Sequence, residues 1–152
     1  MLIAIEKYIN NYVKNNINLL LVRPDDRPWI TDCFIDLIEL VKYSLEDLGY
    51  AVAQSVNAFM PSCQNIVFGA HLMKPGTCDN APDDTIIYQM EQLPMFMSAH
   101  LKRLMQRVTV WEYSEANFSW LEANRIQNVK YVPLFHFEGG HPSSALSDLN
   151  EA

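Results

Sequence analysis

Six short runs rich in hydrophobic residues are spaced along the chain, and each has the length of a β-strand. Ile17 to Val22 (INLLLV) is continuously apolar, which is typical of a strand that is buried on both faces in a parallel sheet. The run at 51–56 alternates weakly between apolar and polar positions. The remaining predicted strands are 65–69, 85–88, 108–111 and 129–132.

Stretches with helical spacing of the hydrophobic residues lie between these runs. Residues 34–48 carry a single apolar stripe, which Gly49 is expected to end, with Thr31 or Asp32 as the N-cap. The other predicted helices cover residues 1–15, a stretch after Pro94 and a short stretch capped by Ser114.

Strands that alternate with amphipathic helices predict a Rossmann-like three-layer α/β sandwich with a mainly parallel sheet of about six strands. We expect residues 1–136 to form this single domain, and residues 137–152 to be a polar tail or a severed linker. The segment 74–83 (KPGTCDNAPD) has the composition of a loop.

Composition narrows the classes of function. Of the 152 residues, 49% are hydrophobic and 19% are charged, as in an ordinary globular domain. A net charge of −7 disfavours nucleic acid or an anionic membrane surface as a partner, because both require a basic footprint. No apolar run reaches the length of a membrane span, and the N-terminal stretch is too polar for a signal peptide. Three cysteines without a CxxC spacing predict a reducing, cytoplasmic setting.

Ligands of open parallel sheets bind beyond the carboxyl ends of the strands, so the residues that follow each strand are the first candidates. Arg23, Asp25, Asp26 and Arg27 follow the first strand. The two arginines could bind a phosphate or carboxylate, and Asp25 or Asp26 could accept a sugar hydroxyl or act as a base. The alternative is that these four charges pair with one another.

Polar side chains also follow the third, fourth and fifth strands. His71 is placed to act as a general base or to orient a substrate, although a structural role is the alternative. Glu91 and Glu112 could form a carboxylate pair for acid–base chemistry, or could instead cap helix N-termini. The candidate catalytic residues are therefore His71, Glu91 and Asp25. The candidate ligand-binding residues are Arg23, Asp26, Arg27, Gln89, Glu112, Tyr113, Ser114 and Asn117.

Common cofactor motifs are missing from the sequence. RPDDRP stands where a GxGxxG dinucleotide fingerprint would follow the first strand, and the chain has no GxxxxGK[ST] loop. It also has no GxSxG nucleophile elbow and no HExxH spacing of metal ligands. The sequence therefore predicts neither a cofactor nor a metal site.

Two segments of the second half resemble a known family. TIIYQMEQLP at 85–94 and VWEYSEANFSWLEANRIQNVKYVPLF at 110–135 resemble bacterial glycosyltransferase-like proteins of the two-domain GT-B architecture. In those proteins, a strand that ends in an aromatic residue and E-Q-L is followed by W-[DE]-Y-S-x-x-N and by a Y-V-P-L strand. The resemblance covers about a third of the chain in detail, and the remainder in the order of its elements.

The resemblance implies an N-terminal, acceptor-side domain. In the family, this domain mostly holds the acceptor, and a C-terminal domain holds the sugar nucleotide. The matching positions here are Glu91, Gln92, Glu112, Tyr113, Ser114 and Asn117. The nucleotide-binding half lies beyond this sequence, so the resemblance further implies a separate nucleotide-sugar-binding or catalytic subunit.

Three hypotheses for the function follow. The first is an acceptor-binding domain that works with such a partner. The second is a stand-alone enzyme that uses Arg23, Asp25, His71 and Glu91 on a small metabolite. The third is a non-catalytic interaction module, and we expect self-association because a missing second domain would expose apolar surface.

The predicted fold also predicts a site. Parallel strands place their carboxyl ends at one edge, so we expect one shallow main pocket there. Its lining should include at least three of Arg23, His71, Glu91 and Glu112, together with Tyr113 or Asn117.

Overall fold

The computed structural model of the chain describes Ile9 and residues 14–132. Its single sheet is all-parallel, with strands in the order β2-β1-β3-β4-β5-β6. The strands are β1 (Asn16–Leu21), β2 (Ala51–Val56), β3 (Gln64–Phe68), β4 (Ile86–Gln89), β5 (Thr109–Glu112) and β6 (Val129–Tyr131). Four α-helices lie within residues 14–132: α1 (Ile35–Asp47), α2 (Pro75–Asp79), α3 (Ala99–Arg107) and α4 (Glu115–Ala123). Two 3₁₀ segments, Pro28–Phe34 and Ala70–Leu72, follow β1 and β3.

The sheet is covered on both faces, so the domain has three layers. Consecutive strand residues point to opposite faces. Ile87 of β4 faces the side where Leu104 of α3 and Leu121 of α4 complete one apolar cluster. Its neighbour Ile86 faces the other side and packs in a second cluster with Val41 of α1. This arrangement confirms the predicted Rossmann-like α/β class with a parallel, six-stranded sheet.

The predicted elements agree with the structure at most of their ends. Each strand lies within one residue of its predicted limits. Gly49 ends α1 in the left-handed conformation, with φ of +89°, as the sequence predicts. Ser114 caps α4, because its side chain accepts a hydrogen bond from the Asn117 N–H. The helix predicted after Pro94 begins at Ala99, where Ser98 provides the cap.

Two local predictions are wrong. Neither Thr31 nor Asp32 caps α1, because both lie inside the 3₁₀ segment and α1 begins only at Ile35. The segment 74–83 is not entirely a loop, since it contains α2. Pro75 suits the first helical turn, where its missing N–H costs nothing, and buried Cys78 anchors the helix to the core.

Some predictions concern residues outside the described part of the chain. They are most of the helix at 1–15, the domain limit at 136 and the tail at 137–152. Within residues 14–132, no helix has the length and apolar character needed to cross a membrane.

The order of the strands reverses between β1 and β3. β2 lies on one side of β1, while β3 and the later strands lie on the other. In doubly wound sheets, this reversal opens a crevice beyond the carboxyl ends of the two central strands, where ligands bind. The residues that follow β1 and β3 are therefore the first candidates for binding a ligand.

Gly69 forms the turn after β3 at this crevice. Its φ is +76°, and a Cβ atom built on it would lie 3.2 Å from the Val22 backbone oxygen. We expect Gly69→Ala to lower the free energy of unfolding by roughly 1–3 kcal/mol, since alanine disfavours this conformation and the obstacle is backbone. Urea denaturation measures the change. Gly76→Ala is the control, because Gly76 has no atom within 4 Å of that position. Equal stability of the two variants would contradict the prediction.

Candidate functional site

The candidate residues after β3 and β4 meet at the carboxyl edge of the sheet. His71 lies in the 3₁₀ turn after β3, and Glu91 lies two residues beyond the end of β4. His71 Nε2 and Glu91 Oε1 are 3.7 Å apart, and the two side chains are 13% and 26% exposed. The sequence predicted both residues as catalytic candidates, and the fold brings them together as one pair.

Aromatic side chains flank the His71 ring. The Phe34 ring meets it edge-on with centroids 6.4 Å apart, and the Phe96 ring lies 5.5 Å away. Burial lowers the pKa of the His71 imidazole below its ordinary value, and the Glu91 carboxylate offsets part of that effect. At neutral pH the imidazole is therefore mainly neutral, which leaves one ring nitrogen free to accept a proton.

The contact between His71 and Glu91 can be tested directly. In Glu91→Gln, the pKa of His71 should fall further, because the variant removes the nearby negative charge that favours the imidazolium form. Nuclear magnetic resonance titration of the histidine Cε1–H signals measures this pKa, and His71→Gln assigns the signal. An unchanged or higher pKa in Glu91→Gln would show that the two groups are not in contact in solution.

Side chains predicted to bind ligand instead form hydrogen bonds with the main chain of the loop that carries Glu91. The Glu91 backbone oxygen accepts hydrogen bonds from Gln89 Nε2 and Asn117 Nδ2, each at 2.8 Å. Asn117 Oδ1 accepts the Leu93 N–H at 3.0 Å, and the Tyr113 hydroxyl donates to the Met90 oxygen at 3.5 Å. Gln89 and Asn117 are buried, so these side chains fix the loop's backbone.

Glu112 is turned into the protein and does not form a carboxylate pair with Glu91. It is fully buried, and its Oε1 accepts the Ser114 N–H at 2.8 Å. Its Oε2 has no hydrogen-bond partner among the described residues. Burial raises the pKa of Glu112 to about 7, while hydrogen bonds from the start of α4 counteract part of this rise. The hydrogen bond from the Ser114 N–H agrees with the alternative role of Glu112, which is to cap the N-terminus of a helix.

The charges after β1 are distributed over several partners. Arg23 donates from Nε to Thr31 Oγ1 at 3.2 Å, and its guanidinium also pairs with Asp32. Arg27 Nε lies 3.3 Å from the carboxylate of its neighbour Asp26. The Asp25 carboxylate, 91% exposed, lies 3.9 Å from Lys74 Nζ. The alternative that the four charges pair with one another therefore holds for Arg27 and Asp26, whereas Arg23 and Asp25 pair with Asp32 and Lys74 outside the group.

A pocket of about 580 Å³ opens beside these charges at the crevice between β1 and β3. Its apolar lining includes Leu20, Phe59, Leu72 and Met73. Polar groups form the rest of the lining: Arg23, Asp25, Asp26, Asn57, Lys74 and Thr77.

The lining of this pocket corrects our prediction. Of the four residues expected around it, Arg23 alone takes part, and neither Tyr113 nor Asn117 contributes. Glu112 and Asn117 point inward, where backbone groups occupy them. His71 turns toward the aromatic rings, although the next three residues of the chain line the pocket.

Several residues that shape the crevice went unrecognised in the sequence. Asn18 and Asn65 are fully buried on neighbouring strands, and Asn18 Nδ2 donates to Asn65 Oδ1 at 2.9 Å. Asn65 also bonds both backbone groups of Met60, which fixes the loop between β2 and β3. A polar residue inside an apolar strand is the signal that could have identified them.

Asn57 and His100 hold two other walls of the crevice. The Asn57 side chain accepts the Arg23 N–H at 2.8 Å and donates to the Arg23 oxygen at 2.7 Å. His100 Nε2 lies 3.0 Å from the Met73 oxygen. The position of Asn57 directly after the second strand makes it a strand-end candidate in the sequence, whereas the contact of His100 with a segment 27 residues away leaves no pattern along the chain.

Comparison with known proteins assigns no family to this chain. Neither a family model, nor a curated protein, nor a solved structure matches it. Among the described residues, no group of three or more His, Cys, Asp or Glu side chains is arranged to hold a metal ion. The functional argument therefore rests on the crevice, the pocket and the His71–Glu91 pair.

Proposed function

We propose that this domain binds the acceptor of a glycosyl transfer at the carboxyl edge of its sheet, as the acceptor-side half of a glycosyltransferase-like protein. The observation that carries the proposal is the His71–Glu91 pair beside the pocket at the strand reversal. The resemblance of segments 85–94 and 110–135 supplies the reaction class. The pocket takes the body of the acceptor, and its reactive hydroxyl extends past the pocket lining toward His71, which directly precedes the lining residues 72–74.

The chemistry of the pair suits an acceptor hydroxyl. A hydroxyl group becomes a stronger nucleophile when a neutral imidazole accepts its proton. The Glu91 carboxylate stabilises the imidazolium that results, because an opposite charge lies 3.7 Å away. Gln89 and Asn117 position Glu91 through its backbone, so they act on the pair without contacting the acceptor.

The charges around the pocket support an acceptor more than a nucleotide donor. Arg23 is paired with Asp32, and Lys74 is balanced by Asp25. Diphosphate recognition requires unpaired cations or a glycine-rich loop of backbone N–H groups. The proposal therefore includes a separate subunit that binds the sugar nucleotide. It places the protein in a reducing, cytoplasmic setting, which its free cysteines Cys33, Cys63 and Cys78 support.

Ligand-detected NMR on the full chain tests the proposal. Saturation-transfer difference spectra should show contact with 4-nitrophenyl β-glucoside, a neutral acceptor model with an apolar ring and free hydroxyls. We expect millimolar affinity, because a pocket at the edge of one domain buries little of its ligand. UDP-glucose, ATP and NAD should give no signal at the same concentration.

Variants connect binding to the pocket. Thr77→Trp should fill the pocket and abolish the glucoside signal, whereas the matched control Thr77→Val should keep it. His71→Asn should retain binding, because His71 does not line the pocket. Glucoside binding that survives Thr77→Trp would place the acceptor elsewhere. UDP-glucose binding that Thr77→Trp removes would overturn the assignment in favour of a donor site.

A further inference from the structure

Among residues 14–132, β2 is an edge strand whose outer main-chain groups have no partner. Its neighbour in the sheet is β1, and no other described strand pairs with it. The N–H groups of Ala51 and Asn57 donate inward, to the oxygens of Asn15 and Leu21. Since alternate residues of a parallel strand face alternate sides, the N–H and C=O groups of the intervening residues point outward. These residues are Val52, Gln54 and Val56.

This edge lacks the devices that keep strand edges from pairing. Proteins protect such edges with charged residues, proline, bulges or very short strands. β2 has six residues, AVAQSV, with neither a charge nor a proline among them. The opposite edge strand, β6, is protected: it has three residues, VKY, and Lys130 at its centre.

An apolar groove runs beside the unprotected edge. A depression of about 320 Å³ between α1 and β2 is lined by Leu21, Ile35 and Val56, among others. Val56 and Ile35 are 52% and 42% exposed, which is high for branched apolar side chains. Gln54 Nε2 donates to Glu39 of α1 at 2.6 Å, so the outward-facing residues of β2 have their side chains on the α1 side. A strand added to this edge would therefore cover the groove as well.

We infer that this edge pairs with β2 of a second copy of the chain, antiparallel across a twofold axis, to give a continuous twelve-stranded sheet (twice the six strands of one copy). Centring the axis on Gln54 uses every outward-facing residue of the strand. Gln54 then lies opposite Gln54 of the other copy, and Val52 lies opposite Val56. Apolar groups meet apolar groups, and no like charges face one another along the strand. The strand is thus uncharged and self-complementary in length and hydrophobicity.

The inference is independent of the proposed acceptor site, which lies at the carboxyl edge of the sheet. The composition of this edge favours a second copy of the chain as the partner, because a strand with a charge or a proline would pair with it less well than β2 does. Each copy carries a net charge of −7, so long-range repulsion opposes association. Measurement at about 150 mM salt screens that repulsion, because the Debye length there is about 8 Å.

Analytical ultracentrifugation of the full chain from about 5 to 200 µM tests this inference. The wild type should shift from monomer to dimer over this range. Gln54→Pro should remain monomeric over all of it, because proline removes an outward N–H while leaving the inward hydrogen bonds to β1 intact. The matched control is Gln54→Ala, which keeps the N–H and should still dimerise. Circular dichroism melts establish that all three proteins are folded.

A second variant tests the same interface without proline, in case Gln54→Pro disturbs the fold of β2. Val56→Lys adds a charge at the edge and should prevent dimerisation, while Val56→Thr should preserve it. A wild type that is monomeric throughout the range would overturn the inference. A dimer that persists in both Gln54→Pro and Val56→Lys would also overturn it, because the interface would then lie elsewhere. Neither result bears on glucoside binding.

Discussion

Ile87→Ala should lower the free energy of unfolding by about 2–5 kcal/mol, toward the upper part of that range. Ile87 is fully buried in β4, and its strand neighbours are Val67 and Val110. Helices α3 and α4 cover this face, so little space exists for the surroundings to close around the missing atoms. The loss therefore combines lost burial with the cost of a cavity. Equilibrium urea denaturation measures it.

Two comparisons test whether burial causes this effect. Ile35→Ala removes the same atoms from a half-exposed position, so we expect a change below about 1 kcal/mol. Leu20→Ala should fall in the lower part of the 2–5 kcal/mol range, because Leu20 borders the pocket and its removal enlarges an existing opening. If Ile87→Ala and Ile35→Ala unfold at the same urea concentration, β4 is not a central strand of the sheet.

Glu112→Gln should make the protein less sensitive to rising pH. The pKa of Glu112 is about 7 in the folded state, compared with an ordinary value of 4.5. Below 4.5, both states hold the proton and the shift costs nothing. Between the two values, the unfolded chain ionises while the folded one keeps its proton, so stability falls as pH rises. Above about 7, the loss is complete.

The size of this effect follows from the linkage relation. Between pH 5.5 and 8.5, the wild type should lose about 2 kcal/mol of stability through Glu112, because the loss accumulates at up to 1.36 kcal/mol for each pH unit until the folded-state carboxyl ionises. Glu112→Gln lacks this loss and keeps an oxygen that can accept the Ser114 N–H. Urea denaturation at pH 5.5 and 8.5 gives the difference. Glu122→Gln, at an exposed position, is the charge-matched control. Parallel pH profiles for the wild type and Glu112→Gln would refute the prediction.

The strands could be predicted because a strand that is buried on both faces requires apolar residues at consecutive positions. INLLLV and TIIY consist mainly of large apolar residues, and the structure places 17–21 and 86–88 in the sheet. The 3₁₀ segment before α1 was missed for the opposite reason. Its capping groups Thr31 and Asp32 are occupied by Arg23, which lies eight and nine residues earlier in the chain. In the sequence, a threonine or aspartate that binds a distant side chain cannot be distinguished from one that caps the helix after it.

The candidate site was predicted in part. The rule for parallel sheets correctly assigned His71 and Glu91 to one edge, because it depends on strand direction alone. It could not foresee that Glu112 and Asn117 turn inward, since that depends on which backbone groups of the neighbouring loop lack partners. The pocket itself depends on Phe59 and on the segment at 72–74. Asn65 fixes Met60, the neighbour of Phe59, and His100 contacts Met73 from 27 residues away along the chain.

The buried asparagine pair has a consequence for how the sheet selects its alignment. Apart from Asn16 and Asn18, β1 consists of large apolar residues, so a strand displaced by two residues would bury much of the same hydrophobic surface. Asn18 faces Asn65 in the native alignment, with Ser55 and the Ala58 oxygen as further partners. A displaced strand would separate the two amides and leave each without its partner in an apolar layer, which costs about 1–3 kcal/mol for each group. Asn18, the buried polar residue of β1, therefore specifies which residues pair, much as a single buried asparagine sets the register of a coiled coil.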